Sequence, residues 1–166
     1  MSASARAWVR ALALGAIVVL VDQVSKAIAA SALGSGERID IGLGFELADV
    51  RNRGIAFGLL SDGQMLVIVV TALSLALILG YFALNPARPG LWIGVGLLLG
   101  GAVGNLADRV RADEVTDFID PPMWPAFNVA DIAIVIGILL IVLVHRPTNP
   151  DQTPLPRTRS GGGSGH

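Results

Sequence analysis

The chain has 166 residues, of which 53% are hydrophobic, and its mean hydropathy is +0.67. Twelve basic and thirteen acidic residues give a net charge of -1, which gives no sign of a nucleic-acid partner. The lack of cysteine excludes disulfides, thiolate metal sites and cysteine nucleophiles. Neither histidine, His145 or His166, has neighbours that would complete a ligand set, so we expect no metal and no cofactor. One integral membrane domain is the class that this composition predicts.

The first apolar run follows a basic, aromatic-containing segment at residues 6–10, as the entry to a membrane helix does. Small residues at 27–32 would also fit the cleavage region of a secretory signal peptide. Asp22 and Lys26 stand one helical turn apart before that region, which favours a retained helix over about residues 11–30. The two side chains could form a structural i,i+4 ion pair or take a direct part in a site.

Residues 37–50 alternate apolar and polar side chains, which is the periodicity of a strand with one apolar face. A turn signal follows at residues 51–54. We therefore predict a small extracytoplasmic β platform over about residues 37–60, of two or three strands, between the first and second helices. Asn52 falls within the turn signal, and on physical grounds the simpler interpretation is that it is a turn residue.

Three further apolar runs, residues 65–84, 91–107 and 127–144, are predicted to be membrane helices. The middle run carries glycine at positions 96, 100 and 104, a spacing that allows another helix to approach closely. The prediction is a membrane all-α fold, with four transmembrane helices in a single domain over residues 1–146. Residues 147–166 are expected to form a disordered tail, whose final SGGGSGH is either native or an artificial addition.

Basic residues predict the orientation of these helices. One side of the membrane would collect the flanking arginines, and the other would collect most of the carboxylates. The flanking residues are Arg6, Arg10, Arg88, Arg146, Arg157 and Arg159. Because basic residues concentrate on the cytoplasmic side, both termini are expected in the cytoplasm.

The stretch from residue 104 to residue 131 carries the candidate chemistry. Asn105 and Asp108 lie near the end of the third apolar run, and Asp131 opens the last one. A carboxylate at the centre of a membrane helix costs about 2.5 to 3.5 kcal/mol, so such a residue is a functional candidate. Asp117 lies on a short, proline-rich connection that could fold it back towards Asp131. Two carboxylates that share one proton provide an acid and a base.

Three functions remain open on these residues alone. Two paired aspartates can activate water for amide hydrolysis at the membrane surface, with nearby asparagines orienting the reacting groups. The same acidic residues could form the path of a small cation or proton transporter, or belong to a membrane scaffold without catalysis. Asp108 and Arg109 are equally consistent with an interfacial ion pair and with a role in the site.

Five segments, in order and spacing, resemble the bacterial lipoprotein signal peptidase family, signal peptidase II. They are VDQVSK, VRNRGIAFG, GGAVGNLADR, VTDFID and FNVADIAI, and together they span about residues 21–137. The resemblance implies an intramembrane aspartic endopeptidase that cleaves a prolipoprotein before its diacylglyceryl-modified cysteine. It also implies a multi-pass protein of the bacterial cytoplasmic membrane, in contact with membrane lipids, with its active site near the outer face. We expect a monomer.

The family's two catalytic aspartates match Asp117 and Asp131 in this sequence. Positions that support the pair or hold substrate match Asp22, Lys26, Asn52, Asn105, Asp108, Arg109 and Asn128. Two features depart from the family pattern. The connection between Asp117 and Asp131 is short and carries prolines at 121, 122 and 125, which puts in doubt how a lid over the pair would move, and the long C-terminal tail has no counterpart in the five segments.

Overall fold

The structure is a computed structural model that describes residues 1–34, 37–53 and 63–145. These residues form four helices, α1 (Ala3–Ala32), α2 (Gly63–Leu84), α3 (Leu91–Ala112) and α4 (Val129–Val144), and three strands, β1 (Arg38–Gly42), β2 (Phe45–Asn52) and β3 (Val115–Asp120). The four predicted helices are present in the predicted order. The first begins at Ala3, earlier than predicted, and the third continues to Ala112, because the polar ends of both helices remain hydrogen-bonded as helix.

Helix α3 lies at the centre of the bundle and packs against α1, α2 and α4. Its glycines let the backbones approach closely on two faces. A Cβ at Gly100 would lie 2.6 Å from the carbonyl oxygen of Gly15 in α1, and a Cβ at Gly101 would collide with the carbonyl oxygen of Ala130 in α4. Gly96 and Gly104 also face α1. The predicted glycine stripe is therefore confirmed as a helix-packing surface.

The three strands form one antiparallel sheet in the order β1-β2-β3. Strands β1 and β2 are joined by a hairpin whose tip, Gly42, Leu43 and Gly44, has φ values of 93°, 57° and 80°. The prediction of one continuous alternation over residues 37–50 was wrong at this tip. Two of these residues are glycines, which adopt left-handed backbone conformations at little cost in free energy. The alternation of apolar and polar residues continues through the tip and therefore does not reveal the turn.

Strand β3 comes from the chain between α3 and α4, so the sheet is not built only from residues between the first two helices. Asp117 therefore lies on a strand, where the sequence had placed it on an irregular connection. Asn52 is likewise the last residue of β2, paired with Val115, so the turn that local sequence alone favoured there is not present. Local sequence favoured a turn at Asn52, but pairing with a strand more than 60 positions away determines its conformation.

The chain after β3 folds back on it before α4 begins. Phe127 donates its N–H to the Ile119 oxygen at 2.9 Å, and the Ile119 N–H donates to the Phe127 oxygen at 3.0 Å. The two hydrogen bonds hold the start of α4 beside β3. The predicted return of Asp117 towards Asp131 is thus confirmed, and the prolines lie in the loop between them.

Among the described residues, three helices are long and apolar enough to cross a membrane: Ala3–Ala32, Met65–Leu84 and Leu91–Ala112. Helix α4 is apolar but has 16 residues. The four transmembrane spans and the placement of the sheet at the membrane therefore remain predictions. The predicted C-terminal tail, residues 54–58 of the second resembling segment and the predicted end of the β platform up to residue 60 lie outside the described residues.

Substitution of Gly101 by alanine tests the close packing of α3 on α4. The added Cβ would force the two backbones apart, and we expect a loss of about 1 to 3 kcal/mol in stability, from overpacking. Gly80→Ala is the matched control, because nothing lies within 4 Å of a Cβ at that position and alanine favours helix. Thermal unfolding in detergent measures both variants. Equal melting temperatures for the two would contradict the packing described here.

Candidate functional site

Polar side chains from α1, α3, the start of α4 and the sheet meet where α3 ends and α4 begins. We call this group the polar network. Its members are Asp22, Lys26, Asn52, Asn105, Asp108, Asp117, Asn128 and Asp131. Asp22, Lys26, Asn105, Asp117 and Asn128 are buried. Since buried polar groups are costly without partners, the arrangement of their hydrogen bonds defines the site.

Lys26 lies at the centre of the helical part of this network. Its Nζ is 2.8 Å from Asp22 Oδ2, 3.0 Å from Asn105 Oδ1 and 2.6 Å from Asp108 Oδ2. The contact between Lys26 and Asp108 Oδ2 is an ion pair that lacks the geometry of a hydrogen bond. The predicted i,i+4 ion pair between Asp22 and Lys26 is confirmed. An ammonium has three donors, and three oxygens surround this one, so its charge is compensated although Lys26 is buried.

Asp22 connects α1 to the start of α4. Its second carboxylate oxygen, Oδ1, accepts a hydrogen bond of 3.0 Å from the backbone N–H of Ala130. This N–H is one of the free donors at the first turn of a helix, where a negative charge is favoured. The fully buried Asp22 carboxylate therefore stabilises the helix that carries Asp131.

Asn105 connects Lys26 to Asp131 through hydrogen bonds at the two ends of its side-chain amide. Its Oδ1 accepts hydrogen bonds from Lys26 Nζ at 3.0 Å and from Asn128 Nδ2 at 3.1 Å. With the oxygen fixed by two donors, the amide nitrogen points the other way and donates to Asp131 Oδ1 at 2.8 Å. The lysine thus determines which end of the amide faces the carboxylate.

Asn128 is the residue that touches both candidate catalytic aspartates. Its Nδ2 donates to Asp117 Oδ1 at 2.7 Å, and its backbone N–H donates to Asp131 Oδ2 at 3.1 Å. Its Oδ1 accepts from the Asp131 N–H at 3.0 Å, so Asn128 and Asp131 form a capping box at the start of α4. Asparagine at the N-cap and an acidic residue at the third helical position are favoured locally. The sequence therefore folds this pair into place through ordinary helix capping.

Asp117 completes the pair from the sheet. It is 2% exposed, and its Oδ2 accepts a hydrogen bond of 2.8 Å from Asn52 Nδ2 across the β2–β3 pairing. Burial raises the pKa of Asp117 above its ordinary value, and the negative charge of Asp131 raises it further. The hydrogen bonds from Asn52 and Asn128, and the charge of Lys26, oppose that rise in pKa. Asp117 therefore retains its proton to a higher pH than an exposed aspartate would.

The remaining predicted residue, Arg109, is half-buried beside the network. Its Nη1 donates to the Asn105 backbone oxygen at 3.3 Å, and its charge acts on both Asp117 and Asp131. Sequence analysis missed Gln23, whose Nε2 donates to Asp108 Oδ1 at 2.8 Å. The signal for Gln23 was present, since a polar amide beside Asp22 in a membrane helix also needs a partner. All nine predicted site residues lie together.

A cavity of about 470 Å³ opens beside Asp117, of a size suited to a small-molecule or peptide segment. The described residues that line it are Val50, Arg51, Asn52, Arg53, Asp117, Pro125 and Ala126. The lining joins the end of β2 to the loop before α4. Within the described ranges, no group of three or more His, Cys, Asp or Glu side chains is arranged to hold a metal ion. The lining therefore presents the carboxylate of Asp117, the amide of Asn52 and the guanidinium groups of Arg51 and Arg53 to the cavity.

Replacement of Lys26 by methionine tests the network's dependence on its buried cation. The buried Asp22 and the partly buried Asp108 would lose their compensating charge, and we expect about 3 to 5 kcal/mol of destabilisation. In the control, Arg38→Gln, the lost ion pairs lie at the surface, where water screens them, and we expect little change in stability. Chemical or thermal unfolding in detergent compares the two. A Lys26→Met protein as stable as the control would refute the central role of this residue.

Comparison with known proteins identifies a family for this fold and site. The family model for signal peptidase (SPase) II matches residues 14–145. A lipoprotein signal peptidase from Pelotomaculum thermopropionicum is 46% identical over 128 residues, 76% of this chain and 84% of that protein. A lipoprotein signal peptidase from Moorella thermoacetica is 42% identical over 132 residues, 78% of this chain and 88% of that protein.

A solved structure agrees with these sequence matches. It is described as a bacterial membrane enzyme determined by the in meso method at 1.9 Å resolution. Its TM-score is 0.74 at 31% identity, with 80% of this chain and 90% of that chain covered. The residues that the family model matches include every residue of the polar network. The chain belongs to the signal peptidase II family.

Proposed function

We propose that this chain is an intramembrane aspartic endopeptidase that removes the signal peptide from prolipoproteins, with Asp117 and Asp131 as its catalytic pair. The observation that carries the proposal is Asn128, which donates one hydrogen bond to each of the two carboxylates. Asn128 thus holds the two carboxylates near each other, and the charge of Asp131 contributes to the raised pKa of Asp117, as expected of a pair that works as acid and base. The lipoprotein signal peptidases similar to this chain support the substrate class.

The pair would act on a water molecule and the scissile amide. The ionised aspartate takes a proton from water as the water oxygen bonds to the carbonyl carbon, and the protonated aspartate gives its proton to the carbonyl oxygen. As the carbon–nitrogen bond of the resulting diol breaks, the first aspartate passes its proton to the leaving nitrogen, and the second recovers its proton from the diol. The raised pKa of Asp117 suits it to begin as the protonated member of the pair.

The other network residues would hold this pair in position. Asn52 and Asn128 fix Asp117, while Lys26, through Asn105, fixes Asp131. Arg109 is placed to act on substrate and on the charge that develops in the reaction, because it lies close to both aspartates. Such fixed dipoles and charges stabilise a transition state without reorganising during the reaction.

The proposed membrane arrangement follows from the charge distribution. The four helices form one domain over residues 1–146 that crosses the bacterial cytoplasmic membrane four times, with both termini in the cytoplasm. The polar network and sheet then lie near the outer face, where the carboxylates collect. A diacylglyceryl-modified cysteine would keep its acyl chains in lipid while the extended signal segment passes Asp117 through the adjacent cavity. One copy of the chain supplies every residue of the network, which supports action as a monomer.

Substitution of either aspartate tests the catalytic pair. Asp117→Asn and Asp131→Asn each lose a carboxylate needed for proton transfer, and we expect at least a thousandfold loss of cleavage, on the scale of general acid–base catalysis combined with water activation. A diacylglyceryl-modified prolipoprotein in detergent, followed by gel mobility, measures the rate beside the unlipidated precursor. Asp40→Asn is the control, because this exposed carboxylate lies on β1 and, within the described residues, accepts its hydrogen bond from the nearby Gly42 N–H. Substantial turnover by either site variant would exclude the proposed pair.

Removal of the Asn52 amide tests the electrostatics of Asp117. The hydrogen bond from Asn52 lowers the pKa of this carboxyl, so Asn52→Ala should let its proton remain to higher pH. We expect one limb of the pH profile of kcat/KM to move upward by roughly one pH unit, the scale of a hydrogen bond to a charged group. Neither limb should move downward. An unchanged or acid-shifted profile would refute control of the Asp117 pKa by Asn52.

A further inference from the structure

The end of the bundle opposite the polar network carries positive charge without carboxylates. We call it the basic end, and its members are Arg6, Arg10, Arg88 and His145 with the aromatic residues Trp8, Tyr81 and Trp92. The first acidic residue of α1 is Asp22, that of α3 is Asp108, and Asp131 in α4 is that helix's single acidic residue. All three belong to the polar network. The described part of the basic end therefore has no negative side chain to compensate its arginines.

The basic end is built on a packed apolar cluster. The cluster contains Ala7, Ala11, Phe82, Leu91 and Val95, and Trp8, Tyr81, Trp92 and Val144 pack against it. The ring centroids of Trp8 and Phe82 are 4.6 Å apart. Because all four helices contribute to this contact, the aromatic and basic side chains around it hold defined positions.

Arg88 contacts a tyrosine hydroxyl and a histidine ring. Its Nη1 donates to the Tyr81 hydroxyl at 3.1 Å and lies 3.3 Å from His145 Nδ1, and the hydroxyl and ring nitrogen are 2.6 Å apart. Both Arg88 contacts use the same nitrogen. The other edge of the guanidinium, Nε and Nη2, has the paired geometry that fits two oxygens of a phosphate.

Arg10 provides a second cation of the same kind. Its guanidinium carbon lies 5.8 Å from the ring centroid of Trp92, a cation–π contact that leaves the N–H edge of the guanidinium available. Trp92 and Tyr81, the aromatic partners of Arg10 and Arg88, pack on the same apolar cluster, so both arginines lie at the basic end. Two arginines with aromatic residues as partners, and no carboxylate in the described part of this end, form an attractive site for an anion.

The surface next to this region identifies the anion's class. Exposed aliphatic side chains continue outward from it, among them Val9 (54%), Leu12 (52%), Leu84 (84%) and Val142 (58%). A ligand that fits both parts has an anionic phosphate and long apolar chains. We propose that the basic end binds the headgroup of an anionic phospholipid, with its phosphate at Arg88 and Arg10 and its acyl chains along the exposed helices. Basic regions between membrane helices bind anionic headgroups by this combination.

Native mass spectrometry of the full chain in detergent tests this site. Titration with phosphatidylglycerol and with phosphatidylcholine of the same acyl chains gives an apparent Kd for each lipid. We expect tighter binding of phosphatidylglycerol, and Arg88→Gln should weaken it about fivefold, the effect of one basic residue near an anionic surface. Arg10→Gln should weaken it by a similar factor, and it serves as a second test if Arg88→Gln does not fold.

Arg38→Gln is the matched control, because it removes the same charge from β1, far from the basic end in the chain and already paired with Glu46 and Asp120. The control should bind phosphatidylglycerol as the unaltered chain does. If all three substitutions weakened lipid binding equally, the effect would depend on the net charge of the protein alone, and the proposed site would be refuted. Displacement of the lipid by an equal concentration of inorganic phosphate would show a phosphate site with no preference for lipid, and would also overturn the proposal.

Discussion

The structure depends on one buried positive charge. Lys26 holds Asp22, Asn105 and Asp108 around its ammonium, and each of these residues then determines the position of something else. Asp22 fixes the first turn of α4 through the Ala130 N–H, and Asn105 presents its amide nitrogen to Asp131. A single cation in an apolar bundle thus determines the geometry of a carboxylate to which it is not directly bonded. Burying these charged and polar groups costs desolvation free energy, and that cost is offset only when the groups adopt this one set of contacts.

Close packing of the helices makes this network possible. Side chains as short as aspartate and asparagine bridge α1, α3 and α4 because glycines bring the three backbones together. Gly104 illustrates the constraint, since a Cβ there would lie 2.7 Å from Asp22 Oδ2. The glycines of α3 are therefore part of the site's chemistry as well as of its packing. A bundle with ordinary interhelical distances would separate Lys26 from its partners, and the carboxylates would then need water.

Much of this molecule could be predicted from its sequence, and the rest depends on distant pairing. Uninterrupted apolar runs predicted the helices, and the four-residue glycine spacing predicted how α3 packs. The aspartates and asparagines were recognisable because polar groups in apolar helices need a reason to be there. Strand β3 was not predictable, since six residues with two aspartates form a strand only against β2. For the same reason Asn52 seemed locally to belong to a turn. Family membership favours the peptidase interpretation over a transporter or scaffold.

The i,i+4 spacing of Asp22 and Lys26 also has a consequence for biogenesis. Helix α1 is synthesised first, before Asn105, Asp108 and Ala130, the later partners of these two side chains, exist. A lone lysine or aspartate would oppose insertion of that helix into the membrane. Because the two charges lie one turn apart on the same helix, they neutralise each other within it, which would lower the cost of inserting α1 into a bilayer. The ion pair that organises the polar network of the folded chain would therefore already stabilise α1 before any other helix is present.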